Sequence, residues 1–248
     1  MQCLRYEERI FCWSGVVLKV SSPFVTRDGN CKVITSVFAE TPEDFFAKLN
    51  SVPDGTERIF EIRFDLFADH DTGCLGEITG YMKKREIPYI FTYRTGDVED
   101  AREKYIFALK GNAIAADLDV ALKELSEDLA GRIPVILSYH GSGKWDLLDV
   151  LRMMEKTGAD SYKLANFYEN LTGFTEDLAL ISGFRQRIEK PLSFIPMGKG
   201  NGILRMVSAC LVSDFAYSKM DTESAPGQLS YNDMSSMINT CMRIRQQQ

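Results

Sequence analysis

Apolar, strand-like runs alternate with helix-like segments along most of this chain, and no other feature restricts its fold as tightly. The sequence predicts strands at 33–38, 59–64, 89–93, 113–118, 133–138, 161–165, 192–195 and 211–215. Between and after them it predicts a helix opening at Thr41-Pro42-Glu43-Asp44, then helices near 74–85, 98–111, 121–129, 145–157, 175–188, 203–210 and 231–243. Thr41 has the side chain of an N-cap, and Pro42 suits a first helical turn, where its missing N–H costs nothing. Strict strand–helix alternation implies a parallel sheet with its helices outside. Eight repeats over 32–248, about 27 residues each, suit a closed (β/α)8 barrel, an α/β fold. The rival is an open doubly wound sheet, which would want a Gly-rich turn after its first strand. Ser36-Val37-Phe38-Ala39-Glu40 supplies none.

Residues 1–31 stand apart from this beat. Ile10-Phe11-Cys12-Trp13 and Val16-Val17-Leu18-Lys19-Val20 are rich in β-formers, and Arg27-Asp28-Gly29-Asn30 is a turn signal, so an N-terminal β-hairpin cap is expected. The whole of 1–248 then reads as one barrel domain with the hairpin in front, a size ample for a buried core.

Charge excludes several partner classes. The net charge is −6 and no basic block exists, which argues against nucleic acid and anionic membranes as partners. An anionic small molecule would have to be met by a few placed arginines and lysines. Arg5, Glu7, Glu8 and Arg9 interrupt any signal-peptide core, and no apolar run of membrane-spanning length occurs. Cys3, Cys12, Cys31, Cys74, Cys210 and Cys241 show no C-x-x-C pair and no ligand-like spacing to His70 or His140. The expectation is free thiols in a reducing cytoplasm, with no metal site.

In such a barrel the chemistry sits at the C-terminal ends of the strands. Lys163 lies within Asp160-Ser161-Tyr162-Lys163-Leu164-Ala165, a run with the composition of a buried strand. A buried ammonium is costly, so this lysine is paired, snorkelling, or neutral; the last state would make it a nucleophile able to form a Schiff base. Period-two alternation sends Glu61, Arg63 and Asp65 to one face, the barrel interior or its rim, as an ion-pair network or as ligands. Arg94 follows strand three, and His140 ends strand five as a rim or catalytic histidine. Met197-Gly198-Lys199-Gly200-Asn201-Gly202 leads to Arg205, and Ser224-Ala225-Pro226-Gly227-Gln228 follows strand eight. The Gly-rich run lacks P-loop spacing. His70, in Asp69-His70-Asp71, reads as part of a solvated loop.

Taken together, Glu61-Ile62-Arg63-Phe64-Asp65, Phe91-Thr92-Tyr93-Arg94, Ser138-Tyr139-His140, Lys163-Leu164-Ala165, the Met197–Gly202 run with Arg205, and Ser224–Gln228 resemble type I 3-dehydroquinate dehydratase. The motifs occur in the family's order across about 32–245, and the closing Ser-Ala-Pro-Gly-Gln run is the most specific piece. The resemblance implies an enzyme of the shikimate pathway, usually a homodimer and without metal or cofactor, that converts 3-dehydroquinate to 3-dehydroshikimate. It assigns Lys163 to the imine and His140 to proton transfer. Arg205 would hold the substrate carboxylate; Glu61, Arg63, Arg94, Ser224 and Gln228 would position the substrate; Met197 would pack around the imine. The alternatives are a Schiff-base lyase or aldolase on a related ketone, with Lys199 holding a phosphate, and a binding barrel that has lost the chemistry.

The chain departs from the family's pattern around the histidine and the anion site. Four residues after Arg94, where the family usually has a glutamate that hydrogen-bonds the histidine, stands Val98. Either a flanking carboxylate, Asp97 or Glu99, reaches the histidine through a one-residue loop shift, or His140 lacks that partner. The usual Ser-x-His-Asp-Phe run reads Ser138-Tyr139-His140-Gly141-Ser142, and Leu204 replaces the serine often found before the arginine.

Overall fold

The computed structural model describes residues 10–13, 16–19, 31–141 and 146–247. At the N-terminal side, β1 (Ile10–Trp13) and β2 (Val16–Lys19) form an antiparallel pair, as the β-rich composition leads one to expect. The expected turn at Arg27-Asp28-Gly29-Asn30 lies outside the described residues.

The barrel alternates as the sequence does. It runs through β3 (Lys32–Val37), α1 (Pro42–Leu49), β4 (Ile59–Arg63), α2 (Thr72–Lys84), β5 (Tyr89–Thr92) and α3 (Val98–Lys110). It continues through β6 (Ala115–Asp119), α4 (Leu125–Leu129), β7 (Val135–Gly141), α5 (Leu147–Glu155), β8 (Ser161–Phe167) and α6 (Leu171–Arg185). The last units are β9 (Leu192–Met197), α7 (Gly202–Leu211), β10 (Phe215–Lys219) and α8 (Tyr231–Gln246). β10 pairs with β3, and from there the order runs β3 to β9 with every pair parallel. The sheet nearly closes, because the Asp214 N–H donates to the Leu192 carbonyl at 2.8 Å at the foot of the β9–β10 seam.

Side-chain alternation divides the interior from the helix layer. Phe60, Ile62, Phe91, Leu118, Leu137, Leu164 and Phe194 face outward into one continuous core beneath the helices. Each such fully buried side chain contributes roughly 1.5–3 kcal/mol relative to exposure. Ile34, Ile59, Ile90, Ala115, Ile136, Ile195 and Phe215 point inward and pack into an apolar interior cluster. One register step further along the same faces, the inward residues turn polar: Ser36, Glu61, Thr92, Asp117, Ser138 and Lys163, all buried. An apolar plug on one side and a polar layer toward the C-terminal mouth confine the chemistry to that mouth.

Three expectations need correction. The eighth strand is Phe215–Lys219, not 211–215. Leu211 ends α7, and the apolar pair Leu211-Val212 that resembled a strand start serves the helix terminus, where Val212 is buried. The expected helix at 121–129 is two pieces, a 3-10 turn at Val120–Leu122 and the short α4. His70 is not a solvated loop residue. Its ring packs edge-on between Phe64 and Tyr93, at 5.5 and 5.4 Å, because the chain after β4 turns back over these aromatics.

Candidate active site

Lys163 sits in the middle of β8, only 4% exposed, opposite Ser138 of β7 and Ser193 of β9 in the ladder. Of the three states open to a buried lysine, the structure shows the paired one. Its Nζ donates to Asp117 Oδ2 at 2.5 Å and lies 3.5 Å from Glu61 Oε1. The Tyr217 ring packs against the amine at 4.3 Å, and the Tyr217 hydroxyl donates to the same Asp117 oxygen at 3.3 Å. The other Asp117 oxygen accepts from Arg94 Nη2 and from Ser138 Oγ, each at 2.5 Å. Burial alone would raise the Asp117 pKa, but Arg94 and Lys163 overcome it and hold this carboxyl far below the usual range. Burial likewise opposes the Arg94 charge, and Asp117 more than restores it.

Glu61 is the second buried carboxylate. It accepts from Ser36 Oγ at 2.5 Å and from Thr92 Oγ1 at 3.1 Å. Gln228 Nε2 donates to Ser36 Oγ at 3.2 Å, so the loop after β10 is tied through Ser36 and Glu61 to the lysine. Gln228 Oε1 gathers the Ser224 N–H at 2.7 Å and the Ser224 hydroxyl at 3.1 Å. The Ser224–Gln228 run thus forms a self-bonded loop over one side of the mouth. Arg63 is turned to Asp65, which it grips with two hydrogen bonds at 3.0 and 2.7 Å.

Arg205, in the first turns of α7, points back beneath that loop and is 4% exposed. Its Nη2 donates to the Pro226 carbonyl at 2.9 Å, while its Nε is buried without a hydrogen-bond partner. Burial lowers its pKa to about 10, a fall that Glu223 partly opposes. A guanidinium with a spare donor in such a place suits an anionic ligand. Gly227 makes the close loop packing possible: its φ is +82°, and a Cβ there would lie 2.6 Å from the Gly198 carbonyl. Met197 ends β9 half-buried against the interior cluster, and Lys199 beyond it is exposed.

His140 stands at the rim of β7 with its side chain 36% exposed. Neither flanking carboxylate of Val98 reaches it. Asp97 caps α3, accepting from the Glu99 and Asp100 N–H groups at 3.0 and 3.1 Å, and Glu99 pairs with Arg102 at 3.0 Å. Val98 packs against the core, as does Leu204. The histidine instead meets Asp119 of β6, with Nδ1 3.3 Å from Oδ2. The concave mouth crowds the ring, and this burial lowers the His140 pKa. Asp119 opposes that shift, and the positive charges of Arg94 and Lys163 reinforce it.

Glu61, Arg94 and Lys163 are therefore joined in one buried charge network, to which Ser224 and Gln228 connect through Ser36. Sequence reasoning missed the network's centre, Asp117, and the histidine's partner, Asp119. The signal was present in Ala115-Ala116-Asp117-Leu118-Asp119, where alternation puts both acids on the inward face at a strand end. Among the described residues, no group of three or more His, Cys, Asp or Glu side chains is placed to hold a metal ion. No helix among them is long and apolar enough to cross a membrane.

Residues 33–244 match the family model for type I 3-dehydroquinase. A 3-dehydroquinate dehydratase of Thermoplasma volcanium is 34% identical over 210 residues, covering 84% of this chain and 89% of the relative. That of Thermoplasma acidophilum is 33% identical over 196 residues, covering 79% and 84%. In fold, the chain is similar to the 3-dehydroquinate dehydratase of Geobacillus kaustophilus, with a TM-score of 0.76 at 20% identity over 86% of this chain and 91% of that one. The type I enzyme of Clostridium difficile, solved with covalently modified comenic acid, gives a TM-score of 0.76 at 19% identity over 96% and 99%. With the matched region spanning nearly the whole barrel, the chain belongs to the type I 3-dehydroquinase family.

Proposed function

We propose that this chain is a carbon–oxygen lyase of the shikimate pathway that dehydrates 3-dehydroquinate to 3-dehydroshikimate through an imine on Lys163; its relatives are named 3-dehydroquinate dehydratases. The observation that carries the reading is the environment of Lys163. It is the buried lysine on the inward face of the barrel, flanked by two carboxylates and an aromatic ring, directly below the mouth.

The chemistry follows from the charges. Lys163 gives one proton to His140, the freed amine leaves Asp117 and attacks the C3 ketone, and His140 returns that proton to the carbinolamine hydroxyl, which leaves as water to give the imine. Arg94 and Ser138 keep Asp117 in place while the amine moves. The imine, once protonated, returns a positive charge to the same two carboxylates, so the covalent intermediate inherits the electrostatic site built for the lysine. That cation withdraws electrons from C2 and acidifies its proton. His140 takes the C2 proton and gives a proton to the C1 hydroxyl, which departs as water. A second water then hydrolyses the imine, restores Lys163 and completes a net loss of one water. Arg205, whose Nε has no hydrogen-bond partner within the protein, would hold the substrate carboxylate, and the Ser224–Gln228 loop would receive the hydroxyls. Arg63, Glu61 and Met197 complete the walls. Family membership also carries the expectations of one barrel domain, a homodimer and a cytoplasmic location.

Adding 3-dehydroquinate should produce the ultraviolet absorbance of dehydroshikimate. Borohydride should trap a covalent adduct whose mass maps to Lys163 and which Lys163→Ala abolishes. Absence of both turnover and adduct would overturn the reading.

A further inference from the structure

His140 and Asp119 lie on neighbouring strands of the barrel wall. In the ladder Asp119 pairs with Ser138, and alternation puts His140 on the same inward face two residues further on. Strands lie about 4.8 Å apart, so a short aspartate reaches across one gap to the ring. The observed Nδ1 to Oδ2 distance is 3.3 Å. Asp119 is itself fixed, because its Oδ1 accepts the Ala121 N–H at 3.0 Å, which leaves Oδ2 directed to the histidine. The carboxylates at the start of α3 are committed elsewhere, Asp97 to the helix cap and Glu99 to Arg102.

We propose that Asp119 is the positioning residue of this active site: it fixes the ring orientation and tautomer of His140 from the end of β6, a task the start of α3 does not perform in this chain. The inference rests on the proposed role of His140 as the proton carrier. An ionised carboxylate only accepts hydrogen bonds, so the proton of the neutral ring resides on Nδ1 and Nε2 is left as the basic nitrogen. Burial works against ionisation of Asp119, but its bonds from His140 and the Ala121 N–H, together with the charge of Arg94, hold its pKa below the usual value. Among the described residues, the charged groups whose fields reach the ring are Asp119 and Asp117 from β6, Arg94 after β5, and Lys163 of β8. Asp119 is thus the carboxylate in direct contact, and with the more distant Asp117 it opposes the two cations that bear on the imidazole.

The sequence contains only two histidines, which makes the test direct. Two-bond proton–nitrogen NMR spectra of the full-length 15N-labelled chain report which ring nitrogen carries the proton, and His70→Gln assigns the signals. The Nδ1–H tautomer is expected in the unmodified chain, and a mixture with Nε2–H in Asp119→Asn. In turnover, Asp119→Asn should lower kcat by about 10- to 100-fold, by analogy with loss of the carboxylate partners of metal-bound histidines, with little change in KM. It should also move the acid limb of kcat/KM to lower pH, since a group that raises the histidine pKa has been removed. Asp119→Glu should restore the Nδ1–H tautomer and most of kcat, and it serves as the second variant if the asparagine protein does not fold. An unchanged tautomer in Asp119→Asn, or Nε2–H in the unmodified chain, overturns the proposal. The NMR experiment needs no substrate, so its outcome stands apart from whether 3-dehydroquinate is turned over.

Discussion

Lys163 and Asp117 meet at 2.5 Å inside the barrel, and the carboxylate that holds the amine is itself held on its other oxygen by Arg94. One aspartate therefore pairs with two cations, and Glu61 at 3.5 Å is the lysine's second, more distant carboxylate. Removing a single partner from such a buried set leaves an uncompensated charge, which typically costs about 3–5 kcal/mol. Asp117→Asn is expected to lose stability on that scale in urea or thermal unfolding, far more than an exposed Asp→Asn change. The sign of its pH dependence follows from the depressed Asp117 pKa. The stability it contributes is fully present above the unfolded value near pH 3.9 and is lost as pH falls through the much lower folded value. The gap between the native chain and Asp117→Asn should therefore be constant from about pH 5 to 8 and narrow in strong acid.

The His140 pKa is displaced downward, by burial first and then by Arg94 and Lys163, against the opposing pull of Asp119 and Asp117. A base with a lowered pKa stays neutral to lower pH. The acid limb of kcat/KM should accordingly fall below the ordinary histidine value of about 6.5. High salt should leave it nearly in place, because the charges that set it are largely enclosed by protein. A limb at or above that value would assign it to another group.

Much of this site is legible in the sequence alone. The alternation that fixed eight parallel units depends on local hydrophobic period, which survives in any single sequence, and the strand ends told where to look for polar groups. What the sequence did not disclose was which acid partners which cation. Glu61, Arg63 and Asp65 look like one network in the sequence. In space Arg63 turns to Asp65 and Glu61 turns to Ser36 and Thr92, while the lysine's main partner comes from β6, 46 residues upstream. Such pairings are set by register across the barrel, not by spacing along it. His70 shows the same limit from the other side: its acidic neighbours suggested solvent, whereas the turn after β4 folds it onto Phe64 and Tyr93.

Arg205 offers its buried, unpartnered Nε below the loop after β10. Hydrogen bonds to charged groups are worth about 1.5–3 kcal/mol, so Arg205→Gln should raise KM for 3-dehydroquinate about 10- to 100-fold. Arg205→Lys should recover only part of this, since an ammonium cannot reproduce the planar fork. Because burial brings this guanidinium down to about 10, KM in the unmodified chain should climb as pH rises through that value. Initial rates over a substrate series at each pH separate this effect from changes in kcat.

Gly227 and Gly55 provide a matched pair for the loop that covers Arg205. Both have positive φ, +82° and +65°, so alanine at either site carries the left-handed backbone penalty of about 1–2 kcal/mol. They differ in what a Cβ would meet. At Gly55 nothing lies within 4 Å, whereas at Gly227 the Gly198 carbonyl oxygen would be 2.6 Å away, a backbone contact that no side-chain rotation relieves. Gly55→Ala should therefore cost stability without affecting catalysis. Gly227→Ala must push the loop off the β9–α7 turn, carrying the Pro226 carbonyl away from Arg205 and loosening the Ser224–Gln228 bonds that reach Ser36 and Glu61. It should lose at least as much stability and, unlike Gly55→Ala, raise KM severalfold. Melting temperatures and KM measured on the two variants together decide the point, and equal KM values would show that the loop does not shape the binding site.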